Sequence, residues 1–369
     1  MKSRKLPLIL HNNYLSAYRK KAKRYTYHPE EVKGDLPGET NYNIAFTIFN
    51  RDTLATRQLN NDDELEDLFK PAAAPLVKWI DITGVIPRVI RKIGQGFHIH
   101  SLIINDILSV GQRAKEDDMG TYLFVLMPML AYNQESGIID TDQICLVLGE
   151  GYLISVHNNA APAYLKILEE KLKSVDSPAR CNNADYIFYL ILDAVVDQYF
   201  NVLDKLSEQL DNIEDIVVDR PQKSALLTLT MLRHKIMVVK RAIAPVRELI
   251  NNLWHADNKL IDPNSKKYFK DIYDHITLAI EYNENYREMV LNLQDLYMNQ
   301  VNTRMNEVMK ILTIVTMLLA PFMLISGIYG MNFEHIPFNH APYGFGIAVL
   351  FMLATSIALL FYFRKKGWF

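Results

Sequence analysis

The chain has 369 residues, 49% of them hydrophobic and 22% charged, with 40 Lys and Arg against 42 Asp and Glu. That length exceeds one ordinary core and implies two or more folding units, while the balanced charge excludes the basic excess of a nucleic-acid-binding protein. Cys145 and Cys181 are the only cysteines, too few for a disulfide framework and fitting a reducing compartment.

Residues 1–40 are basic and polar without clear period, and read as a loosely ordered lead-in. The apolar stretch after Lys2, Arg4 and Lys5 is short and interrupted by Pro7, so a retained, cytosolic N-terminus is expected rather than a signal peptide. Residues 41–160 read as an α/β domain with a mixed sheet. Residues 44–49 and 76–82 alternate like half-buried strands, and 144–148 with 152–156 form a hairpin around Gly149-Glu150-Gly151. The uncharged span 120–134 is too short for a membrane and contains Pro128, so it reads as a buried strand. Residues 101–110 read as a short helix. His98 and His100 before it fit a helix start better than a metal pair.

Residues 161–262 read as a helical hairpin region. On a helix over 183–219, Asp193, Asp197, Asp204, Glu208, Asp211 and Asp215 recur at steps of three, four and seven and share one face. The next helix, 222–252, carries Arg233, Lys235, Lys240, Arg241 and Arg247. The pair reads either as two solvated faces or as a cation-attracting, charge-coupled lever.

Asp262-Pro263-Asn264-Ser265 is a helix start. Residues 263–329 then read as one stalk helix whose last part, 311–329, is an uncharged apolar span. Residues 343–363 form a second span, and 330–342 a loop between them. At 1.5 Å per residue each span reaches about 30 Å, the thickness of a hydrocarbon core. Arg304 and Lys310 precede the first span, Arg364, Lys365 and Lys366 follow the second in a basic tail (364–369), and the loop has no Lys or Arg. This places both termini in the cytoplasm of a cell-membrane protein and the loop outside.

Two stripes run along the stalk helix. Tyr286, Val290, Leu293, Tyr297, Val301, Met305, Val308 and Leu312 form an apolar seam expected to pack against other copies. Asp295, Asn299, Asn302, Asn306, Met309, Thr313, Thr316, Ala320, Met323 and Gly327 form a polar-to-small stripe, wasteful against lipid but suited to lining a pore. Two spans cannot enclose a conduit alone, so a pore requires an oligomer.

At Tyr329-Gly330-Met331-Asn332, closing the first of two C-terminal spans, the chain resembles the CorA family of magnesium channels. Asp106-Ile107-Leu108 with Gln112-Arg113-Ala114-Lys115, and Tyr268 through His275, resemble the family's cytosolic segments. The resemblance implies a homopentameric funnel in the bilayer that carries Mg²⁺, with Co²⁺ and Ni²⁺ as secondary ions. It implies a selectivity ring of Gly330, Met331 and Asn332 with Glu334 in the loop, and a hydrophobic gate at Met309 and Leu312. Asn306 and Asp295 would form polar and acidic rings below the gate. Asp106 and Asp271 would hold a regulatory Mg²⁺ between protomers. Mg²⁺ surrenders water reluctantly, so carbonyl and carboxamide acceptors that hold the hydrated ion suit such a ring. On the residues alone, Gly330 also reads as a helix C-cap in the left-handed conformation.

The chain departs from the family pattern at Met323, Asn105 and Phe338, and adds His335 and His340 to the loop. Alternatives are a zinc-transporting member of the superfamily, or a membrane-anchored cytosolic sensor. No nucleotide loop, nucleophile constellation or zinc-hydrolase spacing points to an enzyme.

Overall fold

The computed structural model describes residues 42–59, 65–70, 76–158, 163–219, 222–331 and 343–368. The lead-in, Asn332 and the loop's Glu334, His335, Phe338 and His340 lie outside them. The chain divides into two compact units: the described residues up to Asn212 with Thr230–Val290, and Ile213–Leu229 with Leu291 onward.

The first unit is built on a seven-stranded mixed sheet: β1 (Asn43–Phe49), β2 (Leu54–Leu59), β3 (Val77–Thr83), β4 (Lys115–Asp118), β5 (Tyr122–Tyr132), β6 (Ile139–Gly149) and β7 (Tyr152–His157). Their order is β2-β1-β3-β7-β6-β5-β4, with only β3–β7 parallel. The β6–β7 turn is tight because Gly151 takes φ 75°, which a side chain would resist. Pro128 sits inside β5 opposite Gln143, and its carbonyl accepts a bond from the Tyr199 hydroxyl at 2.5 Å.

Alternation along the strands makes two cores. Ile44, Phe46, Ile80, Ile82, Phe124, Leu126, Val147 and Ile154 join the apolar faces of α1 (Pro87–Gly96) and α2 (Ser101–Leu108). His100 caps α2, its Nδ1 accepting from the Leu102 amide at 3.2 Å, so the His98–His100 pair marks a helix start. The opposite sheet face holds a buried polar network. The Ser155 hydroxyl donates to Asp81 Oδ1 at 2.5 Å and accepts from the Trp79 indole at 3.0 Å, and His157 Nε2 lies 3.2 Å from Asp81 Oδ2. Beyond α3 (Ala163–Lys173) the chain forms the long helices α4 (Ala184–Asp219), α5 (Lys223–His255) and α6 (Lys266–Tyr329).

Asp185 on α4 fixes the start of α6, accepting from the Asp262 amide at 3.0 Å and the Ser265 hydroxyl at 2.7 Å. Asp262 caps the Pro263–Ser265 turn through the Asn264 amide. Aromatic contacts then bind α4 to α6, Phe188 to Phe269 at 6.1 Å and Tyr189 to Tyr268 at 4.8 Å. Among the described residues no ion pair joins the acidic row of α4 to the cations of α5. Lys240 instead pairs with Glu284 of α6 at 2.5 Å, and Lys235 donates to Gln209 at 2.6 Å. Among the described residues the charge-coupled lever therefore finds no direct ion pair.

In the second unit, the upper part of α6 lies beside α7 (Gly344–Lys365). Both are apolar and long enough to cross a membrane, and their apolar windows are almost wholly exposed within the chain. α4 also has the length and composition, but over half of its window is buried and it carries Asp185, Asp193 and Asp197. The fold is α+β, with long helices and two C-terminal membrane-spanning helices.

Candidate cation sites

The face that α6 turns toward α7 is set by its bulkier residues. Ile314 is buried, while Leu318, Pro321, Phe322 and Ile325 are half-buried; the Ser356 hydroxyl of α7 donates to the Leu318 carbonyl at 3.2 Å. At 100° per residue, Thr316, Ala320, Met323 and Gly327 centre about 175° away from that face. All four are exposed, as are Asp295, Asn299, Asn302 and Asn306. Met309 and Leu312 are 58% and 60% exposed. The polar-to-small stripe thus lies on one free face of the helix. A Cβ at Gly327 would meet nothing within 4 Å, so no packing among the described residues requires a glycine there. The Thr313 and Thr316 hydroxyls donate to the carbonyls of Met309 and Leu312 at 2.8 Å. Their oxygens remain available as acceptors facing outward.

Two expectations need correction. The apolar seam does not serve other copies along its whole length: Val290, Leu293 and Tyr297 are buried within their own chain, and only Val301, Met305, Val308 and Leu312 remain exposed. Spacing at three and four identifies a packing face but not its partner. Gly330, at the last turn of α6, is absent from the left-handed glycines. Its amide still bonds to the Ser326 carbonyl at 2.9 Å, and a Cβ would approach that carbonyl at 3.1 Å. Glycine there relieves a tight backbone approach and does not serve as a left-handed cap.

A second group of donors sits between α4 and α6 in the first unit. Asp193, Asp197 and His275 each offer a ligand atom, all within 4.8 Å of one another. The three come together because Asp193 and Asp197 are one helical turn apart and α4 lies against α6 at His275. Burial foremost, then the Asp197 charge, lifts the Asp193 carboxyl to about 6; His275 opposes this, and the Asp271 charge adds to it. Burial and then the Asp193 charge push the Tyr189 phenol up, with Asp271 contributing less. Asp271, which is exposed, therefore lies beside this cluster. Two carboxylates and an imidazole fit Co²⁺ or Ni²⁺ directly, and fit Mg²⁺ when it keeps part of its water shell.

Asp106 lies elsewhere, paired with Lys115 at 2.5 Å. No hydrogen bond or ion pair joins it to Asp271 among the described residues. Asp193, Asp197 and His275 were not singled out as a site from sequence. The signal was present: two aspartates of the acidic row stand four apart, and His275 closes the Tyr268–His275 segment.

The model of the CorA-like Mg²⁺ transporter family matches residues 76–365. The chain belongs to that family. The CorA-like chain is 31% identical over 301 residues to the cobalt/magnesium transport protein CorA of Thermotoga maritima, covering 81% of this chain and 85% of the relative. It is 22% identical over 297 residues to the magnesium transport protein CorA of Haemophilus influenzae, covering 79% and 91%. The complete CorA magnesium transporter of Methanocaldococcus jannaschii has the same fold, with a TM-score of 0.74 at 19% identity over 88% of this chain and 98% of that one. The ZntB cytoplasmic domain of Vibrio parahaemolyticus shares the fold more loosely, with a TM-score of 0.57 at 16% identity, covering 70% of this chain and 99% of that domain.

Proposed function

We propose that this CorA-like chain assembles as a homopentamer in the cell membrane, both termini cytoplasmic, and conducts Mg²⁺ inward, with Co²⁺ and Ni²⁺ as secondary ions. The stripe from Asp295 through Asn306, Met309, Thr316, Ala320 and Met323 to Gly327 supports this reading most. It occupies the free face of α6, away from α7, and includes a glycine that no contact among the described residues requires. Copies arranged with these faces inward would enclose a conduit. Its entrance would be the Gly330 carbonyls, Met331 and the Asn332 carboxamides, which accept hydrogen bonds from ion-bound water, with Glu334 attracting cations nearby. Met309 and Leu312 would close the path by excluding water when their rings contract.

An inside-negative potential supplies about 4.6 kcal/mol per 100 mV to a doubly charged ion, so transport needs no coupled energy source and no catalytic step. Feedback would come from cytosolic Mg²⁺. Asp271 stands beside the Asp193–Asp197–His275 cluster, and Asp106 would reach it from a neighbouring protomer. A filled site would lock protomers together, and depletion would release them. The direct test is ion competition in proteoliposomes holding an inside-negative potential. Mg²⁺ influx inhibited by Co²⁺ and Ni²⁺ supports the proposal, whereas Zn²⁺ influx unaffected by excess Mg²⁺ would favour a zinc transporter.

A further inference from the structure

The two membrane helices end together. Lys310, immediately before the apolar run of α6, donates from Nζ to the Gly367 carbonyl at 3.3 Å, which sets the start of one span level with the end of the other. Beyond α7 the chain turns back sharply. Gly367 takes φ 71°, its amide bonds to the Arg364 carbonyl, and the Trp368 amide bonds to the Phe363 carbonyl, both at 3.1 Å. This paired closure is a Schellman turn, which satisfies the last carbonyls of a helix and folds the following residue onto it. Trp368 accordingly stacks on the buried Phe363, ring centres 5.2 Å apart and planes inclined by 19°.

That turn fixes the cations. Arg364, Lys365 and Lys366 are consecutive and exposed, so they fan around the rim of α7, with Lys366 Nζ 5.6 Å over the Tyr362 ring. With Lys310 they make a four-cation collar. None of the four has an ion-pair partner among the described residues, and Glu307 is the one carboxylate within a turn of Lys310 on α6. No Lys or Arg occurs from Ile311 to Phe363, so the opposite ends of the spans have no counterpart.

We propose that this collar is a binding site for the phosphodiester headgroup of an anionic phospholipid. Charge and position both support it. The cations stand where two lipid-length apolar spans stop, the level of lipid phosphates, and basic clusters there attract anionic headgroups. Tyr362 and Trp368, amphipathic rings at the same level, occupy the glycerol and carbonyl layer where such residues anchor proteins. Lys310 and the Schellman turn hold the collar in shape, so the lipid meets a preorganised site across both helices. This site requires only that the helices span a bilayer and is independent of which ion is carried.

The test uses the full-length protein purified in a non-ionic detergent. Phosphatidylglycerol, phosphatidylcholine and free glycerol phosphate are the probes, and lipid retained per chain is measured by native mass spectrometry. The unaltered protein is expected to retain phosphatidylglycerol at least tenfold over phosphatidylcholine. The variant Arg364→Gln/Lys365→Gln/Lys366→Gln should lose most of that preference, at roughly fivefold per cation removed. Lys166→Gln/Lys173→Gln on α3 should not. Equal retention of the two lipids, undiminished phosphatidylglycerol on the triple variant, or full displacement by equimolar glycerol phosphate would overturn the site. If the triple variant does not insert, Lys310→Gln and the selectivity of the unaltered protein decide the question.

Discussion

Replacing Asp193 by Asn should stabilise the protein without ions and abolish its stabilisation by them. In the folded chain the Asp193 carboxyl sits at about 6 against 3.8 ordinarily, because burial and Asp197 disfavour its charge. A folded pKa above the unfolded one means the native state holds the proton more tightly. Stability is therefore lost as pH rises from about 4 to 6, and the full penalty persists at pH 7. The shift corresponds to roughly 3 kcal/mol. Asp193 is only half-buried, so solvent screening reduces this to about 1–2 kcal/mol. A divalent ion at a hundred times its Kd returns about 2.7 kcal/mol to the wild type. Thermal denaturation of the full-length protein reads both effects. In EDTA at pH 7 the variant should unfold a few degrees higher than wild type, with a flatter profile between pH 4 and 6. In Mg²⁺ or Co²⁺ its gain should vanish. A variant less stable in EDTA, yet stabilised by the ions as much as wild type, would refute a cation site at this cluster.

Other changes separate the pore from the scaffold. Gly327→Leu should leave thermal stability within about 1 kcal/mol, since its Cβ meets open space, yet lower Mg²⁺ flux at least tenfold by crowding the axis. Unaltered flux would move the conduit off this face. Ser155→Ala should destabilise by about 2–4 kcal/mol in thermal denaturation, because it removes one bond each from the buried Trp79 indole and Asp81 carboxylate. A change under 1 kcal/mol would show that the network is not needed. Asp271→Lys should leave Mg²⁺ influx running at high internal Mg²⁺, measured in loaded proteoliposomes; normal shut-off there would remove Asp271 from the feedback site.

The parts legible in sequence are those with a period. The alternating residues of β1 and β3, the apolar runs of β6 and β7 around Gly149-Glu150-Gly151, the capped start of α6 and the two apolar spans are written directly in residue order. β2 and β4 escaped detection because edge strands carry polar residues, exposed at Thr56 and Arg57 and half-buried at Glu116 and Asp117, which avoid the apolar alternation of a central strand. The polar-to-small face of α6 was readable because Asn, Thr and Gly recur there at helical spacing, and those inside the apolar span have no use against lipid. The seam through Val290 and Tyr297 was assigned the wrong partner, since periodicity gives a face and not its neighbour. The Asp193–Asp197–His275 cluster was half visible. Its two aspartates share a helix, but His275 is 78 residues beyond Asp197 and only folding brings it close.

The proposed conduction rests on the α6 stripe, with Gly330, Met331 and Asn332 proposed as its selective entrance. The most direct measurement is Mg²⁺ influx into proteoliposomes with an inside-negative potential, wild type beside Asn332→Ala. Influx in the wild type that is lost, or no longer selective for Mg²⁺, in the variant is the predicted result. Equal and equally selective influx in both would contradict a selectivity ring at Asn332, and an absence of Mg²⁺ influx in the wild type would contradict the channel itself.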